Sequence, residues 1–310
     1  MCYSAEVYVE YEQYREHFKD VAMDIKAYVK TFWWDRGLNP LANKAPRALF
    51  RELLKIGPTD LRENLEEAQL ELTGSLQQEI NEQQERVDTA QAKLLKKETK
   101  AARENIRIGT KNVAKAQRKL DDLRRTEPKG SDFRVFPGVY VPVMLVEDGQ
   151  KILRPMRYQC RVPRTPSDFD QKYPGTYNAR RDSLGGFWKN LFGYHHGLVI
   201  ATKFYEHVRD EENNNVTLEF KPSTGDVMLI PCLYSHWVDP KGVEPDLWSF
   251  AAITDDPLPE VAAAGHDRTV LDIKPEHVEE WLNPDPNNLS ALYDIFDDRA
   301  RPFYEHQEAA

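Results

Sequence analysis

The sequence predicts an α+β protein: a β-rich core of mostly antiparallel strands with flanking helices, plus an inserted helical hairpin or coiled coil. Three observations predict it. Residues 59–127 contain no proline, aromatic residue or cysteine and are dominated by Glu, Gln, Lys, Arg, Ala and Leu. From Val135 onward, runs of β-branched residues are separated by turn signals such as Asp148-Gly149. Across 310 residues, 40% hydrophobic and 11% aromatic content supplies a core, while 30% charged content assigns part of the chain to a solvated helical element.

The insert is read from its spacing. Leu61, Leu65, Ala68, Leu72, Leu76, Ile80, Val87 and Leu94 recur three, four or seven residues apart, and Val113, Ala116, Leu120 and Leu123 continue the stripe. Its charge splits in two. Residues 59–88 hold nine acidic and two basic residues (net −7), whereas 93–125 hold twelve basic and four acidic (net +8). Two arms of opposite sign fit a hairpin whose halves attract. One long helix that pairs with another copy fits the same spacing, and a third option lets the basic arm guide DNA. The turn has no obvious marker, because Gly74 and Gly109 both lie away from the charge switch.

Outside the insert, residues 5–32 and 46–56 are expected to be helical, with Trp33 and Trp34 between them. Strands are expected over 135–149, 151–163, 197–208, 226–238 and 247–254, and helices over 257–264 and 275–282. The expected organisation is a discontinuous core of residues 1–57 and 129–290, an insertion over 58–128 and a loosely attached tail over 291–310.

Net charge is −9, so nothing global draws in nucleic acid and any DNA contact rests on a local basic patch. Cys2, Cys160 and Cys232 are too few and too scattered for a disulfide framework or a paired metal motif. His195, His196, His207 and His236 match no standard zinc spacing. No metal and no cofactor is expected. The opening MCYSAEVYVEYEQYREHF lacks the regions of a signal peptide, and no stretch approaches the about 18 apolar residues of a membrane span. A cytoplasmic, nucleoid-associated protein without membrane contact is expected.

Cys2 matters for its position. Once Met1 is removed, it carries an α-amine and a thiol on adjacent carbons. An α-amine titrates near about 8, so part of it is unprotonated at neutral pH and can condense with an aldehyde. The thiolate then closes on the imine carbon to give a thiazolidine.

Further motifs give that position a context. NARRDS (178–183), VIATKFYEH (199–207), AAITDDPLPEVAAAGHDRTVLDIKPEHVEEWL (251–282), PMRYQCRVP (155–163) and VFPGVYVPVM (135–144) stand together with the Met-Cys start. In this set the chain resembles the SOS-response-associated peptidase family, whose members begin Met-Cys and use the processed cysteine. The segments resemble its Asn-Ala-Arg motif, its strand ending in aromatic-Glu-Trp, its His-Asp-Arg motif with closing helix, its Met-Arg-Trp stretch and its early strand. Three departures stand out. MCYS replaces Met-Cys-Gly-Arg, so Tyr3 stands for a glycine and Ser4 for an arginine that makes a basic contact. HDRTV replaces His-Asp-Arg-Met-Pro, and the coiled-coil insert is additional.

The resemblance implies roles. Cys2 would be the nucleophile, Asn178 would hydrogen-bond its amine or the sugar, Glu206 would act as general acid/base, and His266 would shuttle the proton for opening the abasic sugar. Arg180 would hold a DNA phosphate, within a basic patch built from Arg154, Arg157, Arg161, Arg164, Arg180, Arg181 and Lys189. The implied function is a DNA-damage response protein that crosslinks Cys2 to abasic sites in single-stranded DNA. Two other readings use the same sequence: a cysteine peptidase or self-processing hydrolase built on Cys2, His266 and Glu206 or Asn178, and a scaffold acting through a partner, or self-association, at 58–128.

Overall fold

Near-continuous apolar runs give four of the core strands two buried faces, and this follows from how the strands pair. The computed structural model describes residues 4–33, 45–210 and 212–309; Cys2 and Trp34 lie outside them. The strands are β1 (Ser4–Val7), β2 (Ala22–Met23), β3 (Arg134–Val135), β4 (Tyr140–Glu147), β5 (Gln150–Tyr158), β6 (Asn178–Arg180), β7 (His196–Arg209), β8 (Asn215–Pro222), β9 (Met228–Trp237), β10 (Leu247–Asp255), β11 (Thr269–Val270) and β12 (Tyr304–Glu308). The helices are α1 (Tyr11–His17), α2 (Ile25–Phe32), α3 (Arg47–Ile56), α4 (Thr59–Lys96), α5 (Lys100–Arg124), α6 (Phe169–Lys172), α7 (Pro259–Ala263), α8 (Val278–Leu282) and α9 (Leu289–Asp297).

Five strands close on themselves. β5 pairs antiparallel with β4, β4 with β7, β7 with β9 and β9 with β10, and β10 returns to β5 in parallel. Inside the ring, Val141, Val199, Ile230, Phe250 and Ala252 line an apolar void of about 20 Å³. The alternate residues Met144, Leu198, Ile200, Leu229, Ala251 and Ile253 face outward into a second buried cluster with Trp188, Phe192, Trp281 and Phe296. Strands covered on both faces carry near-continuous apolar runs, as β4, β7, β9 and β10 do.

The described residues form two compact units: 4–32, 45–56 and 130–309 in one, and 33 with 57–129 in the other. The second unit is an antiparallel helical hairpin. Thr99 ends the turn by accepting a hydrogen bond from the Ala102 N–H, capping α5. Leu76, Ala116 and Leu120 form its buried seam, flanked by Leu72, Ile80 and Leu123. The turn at Lys97–Thr99 needs no glycine. Gly109 instead serves close approach, since a Cβ there would stand 2.6 Å from Val87 Cγ2.

Two expectations differ from the structure. Residues 5–32 are not one helical region: Ser4–Val7 forms β1, because it pairs with both β7 and β3 and strand pairing overrides local propensity. Residues 291–310 are not a loose tail. Leu292, Ile295 and Phe296 of α9 are buried in the core, and β12 adds antiparallel to β8.

Candidate active site

Glu206 reaches its position through a bulge. β1 pairs with β7 as Ser4↔Tyr205, Ala5↔Phe204, Glu6↔Lys203 and Val7↔Ala201, which leaves Thr202 as an extra residue. A bulge exchanges the faces of a strand. Beyond it, Phe204 and Glu206 therefore share the face of Ala5 and Val7, both of which line the central void. The Glu206 carboxylate is fully buried.

His266 arrives from the other side. Gly265 ends α7 with φ +92°, a left-handed conformation suited to glycine after a helix, and its N–H bonds to the Ala262 carbonyl. The next residue, His266, is thereby turned inward, and its Nε2 lies 3.2 Å from Glu206 Oε2. Its Nδ1 faces Arg268 twice, 2.9 Å from the carbonyl oxygen and 3.3 Å from the N–H. Burial pulls the imidazole below its ordinary value, against the Arg268 carbonyl and the Asp267 carboxylate. The backbone of Arg268 thus accommodates Nδ1 with or without a proton, while Nε2 stands at ion-pair distance from Glu206. Such a pair can take a proton from one atom of a reactant and return it to another.

Asn178 begins β6, which runs parallel to β10 with Asn178 opposite Ala252. Its Oδ1 accepts a hydrogen bond from the Tyr158 hydroxyl at 3.4 Å. Tyr158 and Ala252, the neighbours of Asn178, border the central void together with Ala5 of the first strand. Cys2 lies outside the described residues. The other two thiols are buried: burial pushes Cys160 up to about 12 and Cys232 well above its ordinary value, so neither is a nucleophile at neutral pH.

The nominated arginines are mostly engaged. Arg157 and Arg161 both bind Asp170, at 2.6 Å each, and Arg154 binds Asp24 and Glu147, at 2.7 Å each. Arg181 pairs with Asp255 and Asp297, while Arg180, with its side chain 37% exposed, pairs with Asp182 and Asp256. Lys189 is exposed. Two guanidinium groups on one carboxylate leave the Arg157–Arg161–Asp170 cluster a single positive charge. The histidines are also occupied. His196 accepts from the Gly193 N–H and meets the Trp281 carbonyl, with burial holding it down at about 3. His207 meets Thr217 and His236 meets Asp246.

One cation at the site escaped the sequence reading. Arg134 of β3 lies opposite Glu6, donates from Nε to Ser4 Oγ at 3.0 Å and lies over the Tyr205 ring at 3.8 Å. Among the described residues it has no carboxylate partner within an ion-pair distance. Only the pairing of β1 with β3, 130 residues apart, brings it there.

The SOS response associated peptidase (SRAP) family profile matches residues 62–307. The chain belongs to the SRAP family. The matched stretch contains Asn178, Glu206 and His266 and begins beyond Cys2. Three solved structures are similar. A Bordetella bronchiseptica protein shares 15% identity over 57% of this chain and 87% of its own, with a TM-score of 0.48. A Bacteroides thetaiotaomicron protein shares 17% over 57% and 78%, at 0.46. A phage-related protein from B. bronchiseptica shares 18% over 57% and 81%, at 0.42. No curated protein matches the chain. SRAP membership supports a function associated with the SOS response to DNA damage. Among the described residues no helix is long and apolar enough to cross a membrane.

Proposed function

We propose that this SRAP protein captures abasic sites in single-stranded DNA by forming a thiazolidine between Cys2 and the ring-opened sugar. The observation that carries the reading is the buried Glu206–His266 pair, set on the strand against which the start of the chain is paired. Ser4 lies opposite Tyr205, the neighbour of Glu206. Ser4 follows Cys2 by two positions in the chain.

The chemistry balances without a cofactor. The Cys2 amine adds to the aldehyde carbon to give a carbinolamine, whose hydroxyl leaves as water when protonated, and an imine remains. The thiolate adds to the imine carbon and the nitrogen regains a proton, so one water is released overall. Each step moves a proton, and Glu206 with His266 is the pair that supplies and removes it. Asn178 orients the amine or sugar. Arg180, Arg181 and Lys189 contact phosphate, with the Arg157–Arg161 cluster contributing its residual charge. Arg134 supports the same reading, because it sets a guanidinium at Ser4, where the family motif carries arginine.

The test is a denaturing gel after incubation with single-stranded DNA carrying one abasic site. Protein with Met1 removed is compared with Cys2→Ala and with a version extended by one residue before Cys2. A heat-stable shifted band from the first protein alone is expected. Absence of that band refutes the proposal. Peptide hydrolysis that survives the extension but not Cys2→Ala would instead assign the residues to a thiol hydrolase.

A further inference from the structure

Along α5, Arg103, Arg107, Lys111, Lys115 and Lys119 follow one another every four residues, with Lys100 and Arg118 beside them, and all seven are exposed. Arg103 pairs with Glu98 and Arg107 with Glu104. Among the described residues, Lys100, Lys111, Lys115, Arg118 and Lys119 have no carboxylate within an ion-pair distance. From Lys100 to Lys119 the helix advances about 29 Å. We infer that this face of the hairpin binds the sugar–phosphate backbone of DNA, without regard to sequence or strandedness. The inference is separate from the Cys2 chemistry.

The choice of occupant follows from what the hairpin offers and what it has already used. Its apolar stripe is consumed internally: Leu76 packs with Ala116 and Leu120, and Gly109 lies against Val87. A second copy or a helical partner would therefore meet no unused seam. The exposed apolar side chains of the arms, Leu70 and Leu95, stand 25 positions apart and form no patch. Protein interfaces are depleted in lysine and enriched in aromatic residues, and residues 59–127 contain no aromatic at all. The same lack removes base stacking, which preferential binding of single strands requires. What remains is an unneutralised row of cations on a rigid rod. A polyanion gains affinity from such a row by releasing its counterions. The chain carries net charge −9, so a local concentration of cations is the only kind of footprint open to it.

The experiment is fluorescence anisotropy with the full chain and an undamaged 30-base-pair duplex, titrated at several salt concentrations. The triple variant Lys111→Gln, Lys115→Gln, Lys119→Gln is compared with wild type and with Glu79→Gln, Glu82→Gln, Glu85→Gln on the opposite arm. Glutamine keeps helix propensity, and circular dichroism with thermal melting checks folding. The lysine variant is expected to bind at least tenfold more weakly at low salt, with the slope of log K against log salt shallower by about 2 to 3. The glutamate variant is expected to bind at least as tightly as wild type. The undamaged duplex carries no aldehyde, which separates this binding from crosslinking. An unchanged affinity and slope in a folded lysine variant overturns the inference. So does loss of self-association in sedimentation with DNA affinity intact, which would assign the face to a second copy.

Discussion

Glu206 Oε2 lies 3.2 Å from His266 Nε2, inside the protein and on a strand face that a bulge at Thr202 has exchanged. Glu206→Gln preserves volume but removes the charge and the proton-accepting oxygen. It is expected to slow crosslinking by about 10²–10⁴-fold while leaving the protein folded. Single-turnover gel kinetics measure this. Because burial holds His266 below its ordinary value, the acidic fall in rate should lie below the ordinary imidazole range, where the imidazole takes up a second proton. The His266 contribution to stability follows the same direction, being present above about pH 6.5 and lost as pH falls through the lower folded value. A rate that is flat from pH 5 to 8 would remove His266 from the mechanism.

Asp170 joins two arginines, with all three side chains at most 15% exposed. Burial alone would raise its carboxyl, yet Arg161 and Arg157 hold it below the ordinary carboxylate range. Asp170→Ala would leave two guanidinium groups facing each other without compensation. Breaking a buried pair in this way costs about 3–5 kcal/mol. A clear fall in the urea midpoint at pH 7 is expected, and a shift smaller than experimental error would show the arginines to be solvated. Arg161→Gln should likewise lower stability, in addition to any effect on DNA.

Much of this was legible in the sequence, and the reasons for the remainder are physical. The spacing of Leu72, Leu76 and Ile80, and of Ala116, Leu120 and Leu123, announced helical arms because a helical face needs only local periodicity, and the change of charge sign between them favoured a hairpin. Glu206 and His266 were nominated through short motifs, and their contact could not be read there, since it depends on a bulge and a glycine turn contributed by different elements. Residues 5–7 looked helical because nothing local reveals that β7 and β3 flank them. Arg134 was missed for the same reason. The tail looked loose from its Asp, Asn and Pro content, whereas Leu292, Ile295 and Phe296 hold it through one buried stripe.

Asp272 predicts an alkaline weakness. Its carboxyl is buried, accepts the Leu229 N–H at 2.8 Å and is raised to about 7, first by burial and further by Asp226. Its folded value lies above its unfolded one. The stability it contributes is complete below about pH 4 and is lost as pH rises through about 7. Asp272→Asn keeps the acceptor oxygen and removes the charge. Thermal melting should show the variant more stable than wild type at pH 8 by about 1–3 kcal/mol, with little difference at pH 4. Equal melting temperatures at pH 8 would mean that the carboxylate is not penalised by its surroundings.

Two helical glycines in the hairpin should respond in opposite directions. A Cβ at Gly74 meets nothing within 4 Å, so Gly74→Ala gains helix propensity alone and should stabilise by about 1 kcal/mol. A Cβ at Gly109 would stand 2.6 Å from Val87 Cγ2 and 3.2 Å from the Gln83 carbonyl oxygen. Neither neighbour yields easily, since valine is stiff at χ1 and the carbonyl belongs to the helix ladder. Overpacking of this kind costs about 1–3 kcal/mol, which outweighs the propensity gain, so Gly109→Ala should destabilise. Val87→Ala opens the space that the new methyl needs. The double variant should therefore be more stable than the sum of the single effects predicts, by about 0.5–3 kcal/mol. Thermal melts of the four proteins measure the cycle. If Gly109→Ala stabilises as Gly74→Ala does, the arms do not pack at this point, and the hairpin's seam must run elsewhere.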